Sequence, residues 1–276
     1  MCGSHTADTE FAKSRWFTRG WTLQELLAPT KMVFFSSTWT RLADIGMGGD
    51  DQGILQKLSN ITNIGGNVIS GAKDPKQVTT SSRFTWAAKR HTTRAEDLAY
   101  CLMGLFDVHM PILYGEGLEK AFKGLQWEII KRSPDETIFA WCANKSTSCF
   151  LASSPADFSE SCKVSQREVQ DDMAVRDFAM TNIGMAIETV LIKPPASCLG
   201  DIPGPHDRLA IMPIGAGMYH GENNSLHRIG LFMRWELHNT IQKRRNLSTG
   251  ELWPLLSPPR RGLHPTWRSN SNICTG

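Results

Sequence analysis

The chain is 276 residues long, 41% apolar and 21% charged, with 30 basic residues against 27 acidic ones. That length fits one large or two modest domains, and the apolar share can build a core, which excludes a broadly disordered chain. A net charge of only +3 excludes a nucleic-acid binder driven mainly by phosphate neutralisation.

Seven cysteines (Cys2, Cys101, Cys142, Cys149, Cys162, Cys198 and Cys274) form no C-x-x-C pair. They therefore outline no zinc knuckle or thioredoxin-like motif, and the reading is free thiols in a reducing compartment. The segment "MCGSHTADTE" has neither the basic nor the apolar region of a signal peptide. No run approaches the roughly 18 apolar residues of a membrane span. The expectation is a soluble, cytoplasmic protein without a membrane span and without nucleic acid as partner.

In chain order, the first informative stretch is "RGWTLQELLAP", residues 19–29. Two readings compete there. Thr22 and Glu25 match the S/T-x-x-E capping box, in which Glu25 reaches back to the helix start. Alternatively, Trp21 and Glu25, four apart, lie on one helix face and present the carboxylate to a ligand. "KMVFFSS", 31–37, reads as a buried strand after that short helix. The glycines of "GMGGDDQG", 46–53, form a loop with no phosphate-binding pattern, and "ILQKLSNITNI" is helical until Gly65 and Gly66.

"TTRAEDLAYCLMGLF", 92–106, reads as one amphipathic helix with a second capping box at Thr93 and Glu96. "DVHMPILYGEG" is a loop, and "LEKAFKGLQWEIIKR" a second helix with Leu118, Ala121, Phe122, Leu125 and Ile129 on one stripe. From about 137 short β-rich runs take over: "TIFAW", "MAIETVLIK", "RLAIMPI" and "RIGLFMRWEL" predict a small antiparallel sheet. The ends before Phe11 and after about Ser257 lack apolar patterning and are expected to be mobile.

Outside Glu25 and Trp21 the chemistry is sparse. His109 is a loop histidine with no nucleophile motif near it, and Glu116 suits the positive end of a helix. Cys101 reads as a small buried hydrophobe, and Lys243, Arg244 and Arg245 as a solvated turn.

Taken together, "SRWFTRGWTLQELLAP", "VFF" and Trp39 resemble the last block of the fungal heterokaryon incompatibility (HET) domain. Residues 90–141 are similar to the helical region that follows that domain in one subgroup, and "TNIGMAIETVLIK" onward more loosely to its C-terminal segment. The resemblance implies a fungal protein of non-self recognition whose HET domain triggers cell death. It also implies a TIR-like, doubly wound α/β fold. In TIR enzymes that cleave NAD the catalytic glutamate lies in a W-x-x-x-E helix, a spacing that Trp21 and Glu25 share.

The upstream blocks of a complete HET domain do not occur in this sequence. The expectation is thus a C-terminal HET remnant at 1–72, a helical region at 73–136, a β-rich region at 137–253 and a tail at 254–276. Overall the fold class is α+β, an α/β remnant followed by helices and a small antiparallel sheet. Such a chain is expected to be truncated and catalytically inactive alone, with no cofactor, NAD being the substrate of a complete domain. It is expected to act with protein partners, either HET or nucleotide-binding receptor proteins. The rival readings are a TIR-like NAD glycohydrolase using Glu25 and a non-enzymatic sensor or scaffold. Because the missing strands would uncover them, Trp16, Phe17, Phe34 and Phe35 are expected at an exposed apolar surface.

Overall fold

The computed structural model describes residues 10–46, 52–141 and 151–159 in full, and beyond them the backbone of six strands between 164 and 255. Two compact units divide the chain: residues 1–129 with 153–162, and residues 130–152 with 163–276.

The first unit opens with a 3-10 turn at Arg15–Thr18 and helix α1 at Thr22–Leu27, followed by strands β1 (Met32–Phe35) and β2 (Arg41–Ile45). These strands form an antiparallel hairpin, with Met32 opposite Ile45 and an irregularity after Phe34. A parallel sheet is not found among the described residues of this segment; parallel pairing is limited to one bridge, Arg19 with His91. The expected buried strand is instead half-buried, because its alternation sends Met32 and Phe34 inward and leaves Val33 and Phe35 exposed.

The expected open surface is largely closed. Phe34 lies 5.6 Å from Phe11 and 6.0 Å from Trp16, ring centre to ring centre, and both of those also meet buried Phe17. Edge-on packing of this kind needs no further strand to cover it. Of the four residues expected at that surface, Phe35 alone is exposed, beside an exposed Trp39.

Helix α2 (Gln52–Thr62) follows the predicted pattern and buries Ile54, Leu55 and Leu58 on one face. Two short helices come next, α3 (Gly66–Ile69) and α4 (Thr80–Thr85), the second capped by the Thr79 hydroxyl. The long helix expected at 92–106 is broken into α5 (Asp97–Tyr100) and α6 (Met103–Phe106). Of the five apolar positions at helical spacing, Ala99, Leu102 and Phe106 are buried, Leu98 is half-buried and Ala95 is exposed. The backbone, however, tightens at Leu102, whose N–H bonds to Ala99 three residues back. Helix α7 (Leu118–Ile130) matches its prediction, with Ala121, Phe122 and Leu125 fully buried.

The centre of this core is Phe84 of α4. Its ring lies 4.6 Å from Phe106, 5.0 Å from Phe122 and 4.7 Å from Phe158. Phe158 belongs to a 3-10 turn, Pro155–Phe158, opened by a Ser154/Asp157 capping box. The Thr85 hydroxyl donates to the Phe158 carbonyl at 2.8 Å, tying that turn to α4.

In the second unit, "TIFAW" is not a strand. Asp135 accepts the Thr137 N–H at 3.0 Å and starts a 3-10 turn over Glu136–Phe139. A turn residue at the start overrides the β-rich composition. The unit then holds β3 (Val164–Gln166), β4 (Phe178–Thr181), β5 (Gly184–Ile187), β6 (Leu209–His220), β7 (Ser225–Leu237) and β8 (Arg245–Leu255). Strands β3-β6-β7-β8 form one antiparallel sheet in that order, and β4 with β5 a separate hairpin. Helices plus antiparallel strands make the fold α+β. Strand β8 is an addition to the prediction, and Arg245 of the basic run opens it. Residues 1–9 and 256–276, including most of the expected mobile ends, lie outside the described residues. Among the described residues no helix is long and apolar enough to cross a membrane.

Candidate functional site

The 3-10 turn before α1 begins at Ser14, whose hydroxyl accepts the Trp16 N–H at 3.3 Å. The turn swings the Trp16 indole over α1, where its Nε1–H donates to Glu25 Oε2 at 3.0 Å. Glu25 therefore does not close a capping box. The N-cap is Trp21, which supplies no side-chain acceptor, and Thr22 already lies inside the helix. The Thr22 hydroxyl points back and bonds to the carbonyls of Trp16 and Arg19. Glu25 and Trp21 both lie at the surface, with Trp21 43% exposed.

Beneath this surface sits Arg90, only 3% exposed. Its Nε donates to the Trp86 carbonyl at 3.1 Å, and its Nη1 to the Arg19 carbonyl at 2.8 Å and Thr22 Oγ1 at 2.9 Å. Burial lowers its pKa to about 10, so the guanidinium remains charged at neutral pH. The adjoining His91 accepts from Gly20 N at 2.9 Å and donates to the Thr18 carbonyl at 2.7 Å. Gly20 allows this approach: an added Cβ would stand 2.5 Å from Thr92 Cγ2 and 3.2 Å from Cys101 Sγ. Gln24 completes the join by donating to the Cys101 carbonyl.

Cys101 is the small buried group its sequence context predicts, and burial pushes its thiol up to about 12. A thiol so protonated is no nucleophile. His109 is exposed. Among the described residues no three His, Cys, Asp or Glu side chains are placed to hold a metal ion.

A second polar cluster fixes the loop after α6. Glu96 does not cap the chain at Thr93. Its buried carboxylate accepts the N–H groups of Gly115 at 2.8 Å and Gly117 at 3.1 Å, where both glycines have positive φ. Glu116, expected to act on a helix dipole, instead accepts the Tyr100 hydroxyl at 2.8 Å. The same hydroxyl accepts the Leu113 N–H at 2.9 Å. Arg90, Glu96 and Tyr100 were not legible as anchors, since their partners lie outside any local motif.

The amides of Glu96 itself, Gly115 and Gly117 hold the Glu96 carboxyl below its ordinary range. The unfolded chain therefore binds this proton more readily than the folded one. The stabilisation is complete above the ordinary carboxylate value, about 4.3, and is lost as pH falls through the lower folded value. Glu96→Gln is expected to lower the urea midpoint at neutral pH, with the gap narrowing below about pH 4. A gap that stays constant with pH would remove the carboxylate from this role.

No family model matches the chain, and no solved structure matches it. Over 121 residues it is 43% identical to the vegetative incompatibility protein HET-E-1 of Podospora anserina. The chain is similar over that stretch to a vegetative incompatibility protein. The matched stretch covers 44% of this chain and 8% of HET-E-1, so the chain spans a small part of that relative's length.

Proposed function

We propose that this chain works in fungal heterokaryon incompatibility, as a protein-binding part of non-self recognition that feeds cell-death signalling in the cytoplasm. The 43% identity to a vegetative incompatibility protein carries the proposal. Exposed Trp21, Phe35 and Trp39 beside α1 and the hairpin supply apolar contact area suited to another protein. The partners are other HET proteins or nucleotide-binding receptor proteins. Alone, the chain is catalytically inactive and needs no cofactor. Glu25 is exposed and its carboxylate is engaged by Trp16, whereas a group that stabilises developing charge works best where water is excluded.

A second reading keeps α1 as part of a TIR-like fold and makes Glu25 the catalytic group of an NAD glycohydrolase. It is favoured by one observation, the indole of Trp16 holding the Glu25 carboxylate in a single orientation. Glu25→Gln separates the two, because glutamine can still accept the indole N–H but lacks the negative charge. The purified chain is expected to consume no NAD above a protein-free control, with either residue. Co-expression with a complete incompatibility protein in a fungal host is expected to change cell death equally for both. NAD loss by the parent chain that falls about 10²–10³-fold in a folded Glu25→Gln variant would establish the enzymatic reading instead.

A further inference from the structure

A pocket of about 230 Å³ opens in the first unit among α2, α3 and α4. Local chain geometry builds its wall. Asn63 ends α2 in the left-handed region at φ 58°, a conformation asparagine tolerates, and its N–H bonds to the Ser59 carbonyl. Gly65 caps α3, and a Cβ there would stand 2.8 Å from Asn67 Oδ1, so the missing side chain leaves room for the Asn67 carboxamide. Lys73 is returned to the pocket by its own N–H, which bonds to the Asn67 carbonyl at 2.8 Å. Val68, Val78 and Trp86 add apolar surface to the wall, beside Ser82 and Thr85, whose hydroxyls are engaged by Thr79 and by the Ser81 and Phe158 carbonyls.

Among the described residues of this wall, Lys73 alone carries a charge. The carboxamides of Asn63 and Asn67 and the ammonium of Lys73 make no hydrogen bond or ion pair with other described residues. Three polar groups left open around one concavity, with a cation and no carboxylate, suit a negatively charged guest. A volume below the roughly 300–1,000 Å³ of drug-sized sites limits that guest to a small molecule.

We infer that this pocket binds a small organic anion, a carboxylate or phosphate ester. Its charged end meets Lys73, Asn63 and Asn67, and its apolar body lies on Val68 and Val78. The ammonium acts as a point charge, and the amides add direction. This site is separate from Glu25, so its test leaves the proposed function untouched.

The test is a thermal-shift titration of the full chain with phenyl phosphate, benzoate and inorganic phosphate. Phenyl phosphate or benzoate is expected to raise the midpoint in a saturable way, and whichever binds identifies the charged end. Lys73→Ala is expected to weaken that binding about tenfold or more, the loss of one charge-assisted bond. Lys73 is half-buried and pairs with no carboxylate among the described residues, so the unliganded midpoint should hold; Lys73→Gln serves if the alanine variant is unstable. Gly65→Ala, which displaces the Asn67 amide, is expected to weaken binding as well. The proposal is overturned if neither organic anion shifts the midpoint, if inorganic phosphate acts as strongly as phenyl phosphate, or if binding is indifferent to Lys73.

Discussion

Phe84→Ala is expected to lower the free energy of unfolding by about 3–5 kcal/mol, the range for deleting a fully buried aromatic side chain. The Phe84 ring has no exposed surface and is walled by Phe106, Phe122 and Phe158. Those three rings come from α6, α7 and the Pro155–Phe158 turn, so no single segment can shift to fill the space. The void also loosens α4, which carries the Thr85 bond to Phe158. Phe84→Leu keeps most of the volume and should cost much less, about 1.5 kcal/mol. Urea unfolding followed by the helical circular dichroism signal reads both variants. Equal midpoints for alanine and leucine would mean that the aromatic cluster is not the centre of the core.

Arg90→Met is expected to be the second large effect, a loss of about 2–4 kcal/mol. Two contributions oppose each other. Methionine removes a buried cation that has no carboxylate beside it among the described residues, which is favourable. It also strips the donor from the Trp86 carbonyl, the Arg19 carbonyl and Thr22 Oγ1. The Trp86 carbonyl is left without a donor, at about 1–3 kcal/mol, and the Arg19 carbonyl and Thr22 Oγ1 each lose a donor but keep the bond between them, so together these losses outweigh the relieved charge. Arg90→Lys should recover little, because a compact ammonium cannot span acceptors that a planar fork reaches together. Denaturant midpoints for the two variants test this. A methionine variant as stable as the parent would show that the charge penalty is the larger contribution.

The legible parts of the fold were those decided within a few residues. Helix α7 follows from apolar positions 121, 122, 125 and 129, which fall on one face whatever surrounds them. The pair at Glu25 was legible only as a position. S/T-x-x-E spacing places an acceptor near a helix start but does not say which donor claims it, and the Trp16 indole, nine residues away, does so. Glu96 repeats the lesson, with its donors nineteen and twenty-one residues downstream. Strand β8 escaped for a different reason. "RNLSTGELWPL" mixes polar residues, glycine and proline, and it is ordered by pairing with β7 rather than by its own propensity.

The loop between α6 and α7 contains no helix or strand, yet its second half is held at several points. Glu96 binds Gly115 and Gly117, Tyr100 binds Leu113, and Arg94 lies 4.3 Å from the centre of the Tyr114 ring. At its tip Ile112, Leu113 and Tyr114 are 51%, 57% and 53% exposed. Fixing one residue's backbone costs about 1–2 kcal/mol of conformational entropy, and here that cost is met by folding. A protein docking on this tip would find three large side chains on a backbone already tied down at Leu113, Gly115 and Gly117. Little further freedom would be lost at such a contact, so its speed would be limited by encounter rather than by rearrangement of the loop.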